Sequence, residues 1–84
     1  MSAFQPTMEI RIKLGELLEE RGLGQRELSR MIGVRHPSIH EMCQNKTVRL
    51  PLDNLAAICE ALGVGIMDVL ELVPIEEHEK EPQE

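Results

Sequence analysis

Between Gln25 and Gln44 the apolar positions fall into two short helical rhythms separated by a glycine. Leu28 and Ile32 are four apart and line one face of a short helix, while Ile39 and Met42 are three apart and line one face of the next. Gly33 stands between them, where the first helix must stop and the chain must reverse within a few residues. Such a turn commonly needs a left-handed backbone, which glycine adopts at little cost. Ser29 falls where two steeply crossing helices would touch, so a small side chain fits there, and Val34 is placed to plug the turn into the core. The pattern predicts helices over Gln25 to Ile32 and over His36 to about Gln44. Pro37 is tolerated in the second, because a first-turn N–H has no intrahelical partner.

Outside this window the periodicity changes. From Glu9 to Leu14 the residues alternate, with Ile10, Ile12 and Leu14 on one side and Glu9, Arg11 and Lys13 on the other, the period of a strand. A competing pattern, Ile10, Lys13, Leu14, Leu17 and Leu18, would merge Glu9 to Arg21 into one helix; the strand is the preferred reading. A first helix then runs from Leu14 or Gly15 to Arg21 and ends at Gly22. Leu52 to Leu62 reads as a helix on Leu52, Leu55, Ile58, Cys59 and Leu62, ended by Gly63, and Ile66 to Leu70 as a short fifth helix. Glu71 to Ile75 is apolar and bounded by Pro74; it can pair with the Ile10 to Lys13 strand and clasp the two ends, or an exposed edge can pair with a second copy. The expected organisation is a flexible arm over 1–7, one helical domain over 8–75 and a disordered acidic tail over 76–84, where five glutamates face one lysine and no apolar residue.

Composition narrows the function. A chain of 84 residues has room for one core and no second, ligand-sensing domain. With one Phe, no Trp and no Tyr, the core is expected to be aliphatic and Met-rich. The same scarcity counts against single-stranded nucleic acid, whose binding platforms stack bases on aromatic rings. The net charge of −6 argues against a polyanionic partner until its distribution is read: residues 21–50 carry a balance of +4, residues 51–84 one of −8 and residues 1–20 one of −2. Local charge sets the potential within a Debye length of about 10 Å, so the middle of the chain can face a phosphate backbone. Cys43 and Cys59 form no close-spaced pair, and no signal peptide or spanning apolar run is visible. A cytoplasmic protein with reduced thiols and no membrane contact is expected.

The run Gly24-Gln25-Arg26-Glu27-Leu28-Ser29-Arg30-Met31-Ile32-Gly33-Val34-Arg35-His36-Pro37-Ser38-Ile39-His40-Glu41-Met42-Cys43-Gln44-Asn45 resembles the helix-turn-helix of the Cro/cI-type (lambda-repressor-like) family. The resemblance extends from about Leu14 through Pro74, and Leu70-Glu71-Leu72-Val73-Pro74 is similar to the end of a compact subgroup of small bacterial regulators that begin with a short hydrophobic strand. Three positions depart from the usual run: Gly24 replaces a capping Thr, Arg35 a capping Ser, and Gln44-Asn45 stands where Asn-Gly is usual. The resemblance implies a mainly α, five-helix DNA-binding domain, with a short pairing of the terminal segments, whose third helix enters the major groove of double-stranded DNA. It assigns base contact to Arg35, His36, Pro37 and Ser38 and to Glu41, with His40 beside them, and phosphate contact to Gln25, Arg26, Gln44, Asn45, Lys46 and Arg49.

The chemistry of these residues fits those roles. Ser38 can donate or accept, Glu41 can accept from a cytosine amino group, His36 can donate to a purine, and Pro37 offers apolar contact to a thymine methyl. Arg35 can reach a base or a phosphate, and Gln25 at a helix N-terminus suits a phosphate clamp. Each residue also has a plainer role: Arg26 and Arg30 as a solvated face, the two cysteines as inert half-buried thiols. His36 and His40, with Glu41 or Cys43, fall short of a closed metal site, so neither metal nor cofactor is expected. No nucleophile elbow, phosphate-cradling glycine loop or acid/base pair points to an enzyme. Two functions remain: a homodimeric transcription regulator, a repressor rather than an activator, and a protein-interaction module such as the antitoxin partner of a toxin, with the acidic tail engaging a protein. The polar, arginine-flanked mouth of the third helix favours the first.

Overall fold

The computed structural model describes residues 4–75. Along the chain it runs β1 (Met8–Ile12), α1 (Leu14–Arg21), α2 (Gln25–Ile32), α3 (His36–Cys43), α4 (Leu52–Leu62), α5 (Ile66–Val69) and β2 (Leu70–Pro74). Five helices and a small antiparallel sheet therefore make one mainly α fold, as expected. The tail over 76–84 and the first three residues of the arm lie outside the described residues; residues 4–7 form no helix or strand.

The core gathers one to three residues from β1 and from each helix: Ile12 from β1, Leu14 and Leu18 from α1, Leu28 from α2, Ile39 and Met42 from α3, Leu55, Ile58 and Leu62 from α4, and Val69 from α5. Helical spacing puts each pair on one face, and the faces meet because the turns between helices are short. Gly33, at φ 74°, ends α2 in the left-handed conformation, and its N–H donates to Ser29 O at 2.9 Å. Gly15 has a different role. A Cβ there would lie 3.2 Å from the carbonyl oxygen of Cys43, so the missing side chain is what lets α1 rest against the end of α3.

The chain between Glu9 and Arg21 divides into strand and helix. Lys13 N–H donates to Val69 O at 2.6 Å, pairing the end of β1 with the chain entering β2, and Leu14 begins the helix rather than ending the strand. In the sheet Met8 pairs with Pro74, Ile10 with Leu72 and Ile12 with Leu70, so the two terminal segments clasp one another. Ile75 N–H extends the clasp to Thr7 O at 2.9 Å.

Three expectations about the core are corrected. Ile10 is 58% exposed, because the sheet has only two strands and no helix covers its outer end. Leu52, the first residue of α4, is 78% exposed, since the first turn projects past the elements that cover Leu55 and Ile58. The core is aliphatic but not Met-rich: among the described residues Met42 alone of the methionines is buried, while Met8, Met31 and Met67 face outward.

Candidate nucleic-acid interface

The interface begins at the N-terminus of α2. Gly24 takes an extended conformation and supplies no side-chain cap; its N–H donates to the Glu27 carboxylate at 3.4 Å. Leu28 N–H is bonded within the helix, to Gly24 O at 3.0 Å. The N–H groups of the first turn lie ahead of that bond and have no helical carbonyl to meet, which makes this end attractive to an anion. Gln25, Arg26, Glu27, Arg30 and His36 line one open cleft there. The angle between α2 and α3 is held by Ser29, whose hydroxyl donates to the carbonyl of Val34 inside the turn.

Helix α3 is held by Ile39 and Met42, both buried, and starts from Arg35, whose carbonyl accepts from Ser38 N–H at 3.0 Å and from Ile39 N–H at 3.3 Å. With that face anchored, Pro37, His40 and Glu41 are exposed, and His36 and Ser38 are half-buried. Ser38 and Glu41 share a second cleft with Thr47, Arg49 and Asn54. His40 turns toward α2, its ring Nδ1 standing 3.1 Å from Gln25 Oε1, and its ring lies 6.0 Å from that of His36. The loop that follows folds back on the end of α3 through Lys46 N–H to Glu41 O at 2.9 Å and Asn45 N–H to Met42 O at 3.1 Å.

The twelve residues singled out from sequence are distributed over three clefts and the exposed positions beside them. Gln25, Arg26 and His36 come together on the α2 side, and Ser38, Glu41 and Arg49 on the α4 side. Arg35, Pro37 and Lys46 are exposed near these clusters in the chain. Gln44 and Asn45 line a third cleft with Glu9, Ile10 and Arg11 of β1. The side chain of Asn45 is engaged in the scaffold: Oδ1 accepts from Ile12 N–H at 2.6 Å, and Nδ2 donates to Ile12 O at 3.0 Å. Among the residues that line the clefts and that sequence reasoning did not select are Arg30, Thr47 and Asn54. Arg30 carried a signal, its spacing of four from Arg26; Thr47 and Asn54 carried none.

Electrostatics separates these groups further. Among the described residues, Arg26, Arg30, Arg35, Lys46 and Arg49 enter no ion pair, whereas Arg11 is paired with both Glu16 and Glu71. Arg21, which contributed to the basic balance of the middle segment, donates to Leu62 O at 2.6 Å and belongs to the scaffold. Burial pushes the Cys43 thiol up from its ordinary value, the opposite of what a redox-sensing cysteine needs. Among the described residues no group of three His, Cys, Asp or Glu side chains could hold a metal ion, and no helix is long and apolar enough to cross a membrane.

A short helix-turn-helix with an open N-terminal donor set and free cations around its second helix defines a class of DNA-binding domain. The model of the Cro/C1-type HTH DNA-binding domain matches residues 13–74, and the chain belongs to that family. DNA binding and transcription regulation are the activities this membership supports. Among solved structures the chain is similar to the transcriptional regulator VanUg, with 28% identity, a TM-score of 0.68 and coverage of 88% of this chain and 97% of that one. It also shares its fold with a candidate DNA-binding protein from Bacteroides fragilis, at 24% identity, a TM-score of 0.67 and coverage of 75% of this chain and 100% of that one. No curated protein sequence matches.

Proposed function

We propose that this chain is a homodimeric, sequence-specific reader of double-stranded DNA that acts as a repressor. The observation that carries the reading is the set of five cations that, among the described residues, enter no ion pair, on α2, at the mouth of α3 and on the loop behind it. Arg35, His36, Pro37, Ser38 and Glu41 read base edges, and His40 stands beside them against Gln25. Gln25, Arg26, Lys46 and Arg49 hold phosphates, joined by Gln44, while Asn45, whose N–H and side-chain amide are engaged within the fold, positions the loop that carries Lys46. In a two-fold dimer the two recognition helices meet half-sites about 34 Å apart on one face of the duplex. Met8, Ile10 and Leu72, exposed on one face of the sheet, supply an apolar surface for the second copy. Steric exclusion of polymerase from the bound duplex is sufficient for repression.

Selection of bound duplexes from a random pool at moderate salt, with the oligomeric state measured in the same buffer, tests this reading. An inverted repeat recovered by a dimer is the expected result. Recovery of no preferred sequence by a dimer would overturn it and direct attention to a protein partner.

A further inference from the structure

Among the described residues, one polar contact between side chains joins the exposed surfaces of α2 and α3, between the first residue of α2 and the fifth of α3. We propose that His40 is a positioning residue for DNA binding: it holds the Gln25 amide in the orientation that presents its NH2 group to a phosphate. The inference rests on the reading of Gln25 as a phosphate clamp and assigns His40 a role other than direct base contact.

The chemistry follows from the atoms involved. Gln25 offers one acceptor and two donors on a freely rotating terminal amide. A phosphate needs only the donors, so an amide that turns its oxygen toward the anion repels it. His40 Nδ1 stands 3.1 Å from Gln25 Oε1, and a ring N–H at that position donates to the oxygen and occupies it. The NH2 group is then left on the branch of the amide away from the His40 contact, free to donate to a phosphate in the cleft that Gln25 lines with Arg26, Arg30 and His36. His40 itself is exposed and lines none of the clefts that contain Gln25 or Ser38. Its ring is tilted by 33° against that of His36 at a centroid distance of 6.0 Å, so a neighbour on its own helix also limits how it can turn. Both groups sit on short helices anchored by buried residues, Leu28 under α2 and Ile39 under α3. The contact therefore orders one exposed amide with no rearrangement of the backbone, and the ordering is completed before DNA arrives.

The test is a double-substitution cycle on the full chain, read as affinity for a mixed-sequence duplex at fixed salt. Gln25→Ala and His40→Ala are each expected to weaken binding about fivefold, and the double variant little more than either alone. Asparagine carries its Nδ2 at the same number of bonds from the backbone as the histidine Nδ1, so His40→Asn should recover most of the loss, whereas His40→Leu should not. Thermal unfolding of each variant separates lost affinity from lost fold. Additive losses, or a full loss retained in His40→Asn, would overturn the positioning role while leaving the clamp intact. An unchanged affinity in Gln25→Ala would remove the clamp reading and this inference with it. A His40→Ala variant that alters preference among duplex sequences, with its general affinity intact, would return His40 to the base-reading set.

Discussion

The two ends of this small domain handle their polar groups in opposite ways. Around the sheet, Arg11 is paired with Glu16 and Glu71, Asn45 bonds both backbone groups of Ile12, and Arg21 bonds the last carbonyl of α4. Around α3, five cations stand without an ion pair among the described residues, and Gly24 leaves the first turn of α2 without a side-chain cap. A scaffold gains from closing its hydrogen bonds, since a bonded polar group is worth about 1 kcal/mol and an orphaned buried one costs more. A surface that receives phosphates gains from leaving its donors open, because any internal pair would have to break before the ligand could bind. The difference separates framework from interface without reference to conservation.

Several substitutions can break or sharpen that contrast. The largest effect is expected under the interface, where Leu28→Ala or Ile39→Ala should cost about 2–5 kcal/mol in urea unfolding, since both side chains are fully buried. Asn45→Ala should come next, at roughly 1–3 kcal/mol, because it removes two hydrogen bonds and puts a Cβ-bearing residue without local support at φ 58°. Asn45→Gly relieves the backbone and isolates the cost of the bonds. If Asn45→Ala left stability unchanged and weakened DNA binding instead, Asn45 would belong to the interface. Lys46→Ala, Arg49→Ala and Arg30→Ala should change stability by no more than about 0.5 kcal/mol, yet each should lower the salt dependence of DNA affinity by about one unit of slope. Ser38→Ala and Glu41→Ala should instead relax base preference, measured against a panel of duplexes. A smaller effect concerns Cys43: burial raises its pKa, so at neutral pH the thiol stays protonated and should alkylate more slowly than a free cysteine, speeding up only above the ordinary thiol range. The smallest is Arg11→Ala, whose exposed ion pairs should leave the melting temperature nearly where it was.

What the sequence revealed was what short-range periodicity encodes. The bounds of α2 and α4 and the turn at Gly33 were legible, because each depends on neighbours within a helical turn; the pairing of the terminal segments was one of two readings left open, since its partners lie far apart in the chain. Exposure of apolar positions that fit a pattern was not legible. Ile10 and Leu52 fit their patterns perfectly, and only the absence of a covering layer turns them outward. The roles of Arg21 and Asn45 were equally hidden, since their backbone partners lie 41 and 33 residues away and leave no local trace. For the interface, residue types were readable but their grouping was not, as the separation of Gln44 and Asn45 from the α2 cluster makes clear.

The bond between Asn45 and Ile12 also bears on the solubility of the protein. Lys13 N–H donates to Val69 O and Ile75 N–H to Thr7 O, so by alternation the backbone groups of Met8, Ile10 and Ile12 point away from β2. At Ile12 the amide of Asn45 caps that row as a further strand would, but with nothing beyond it to pair with. On the opposite side Pro74 has no N–H to offer. A two-stranded sheet with an apolar face is a natural seed for fibrils, and here each margin is interrupted by a residue that halts strand-by-strand growth.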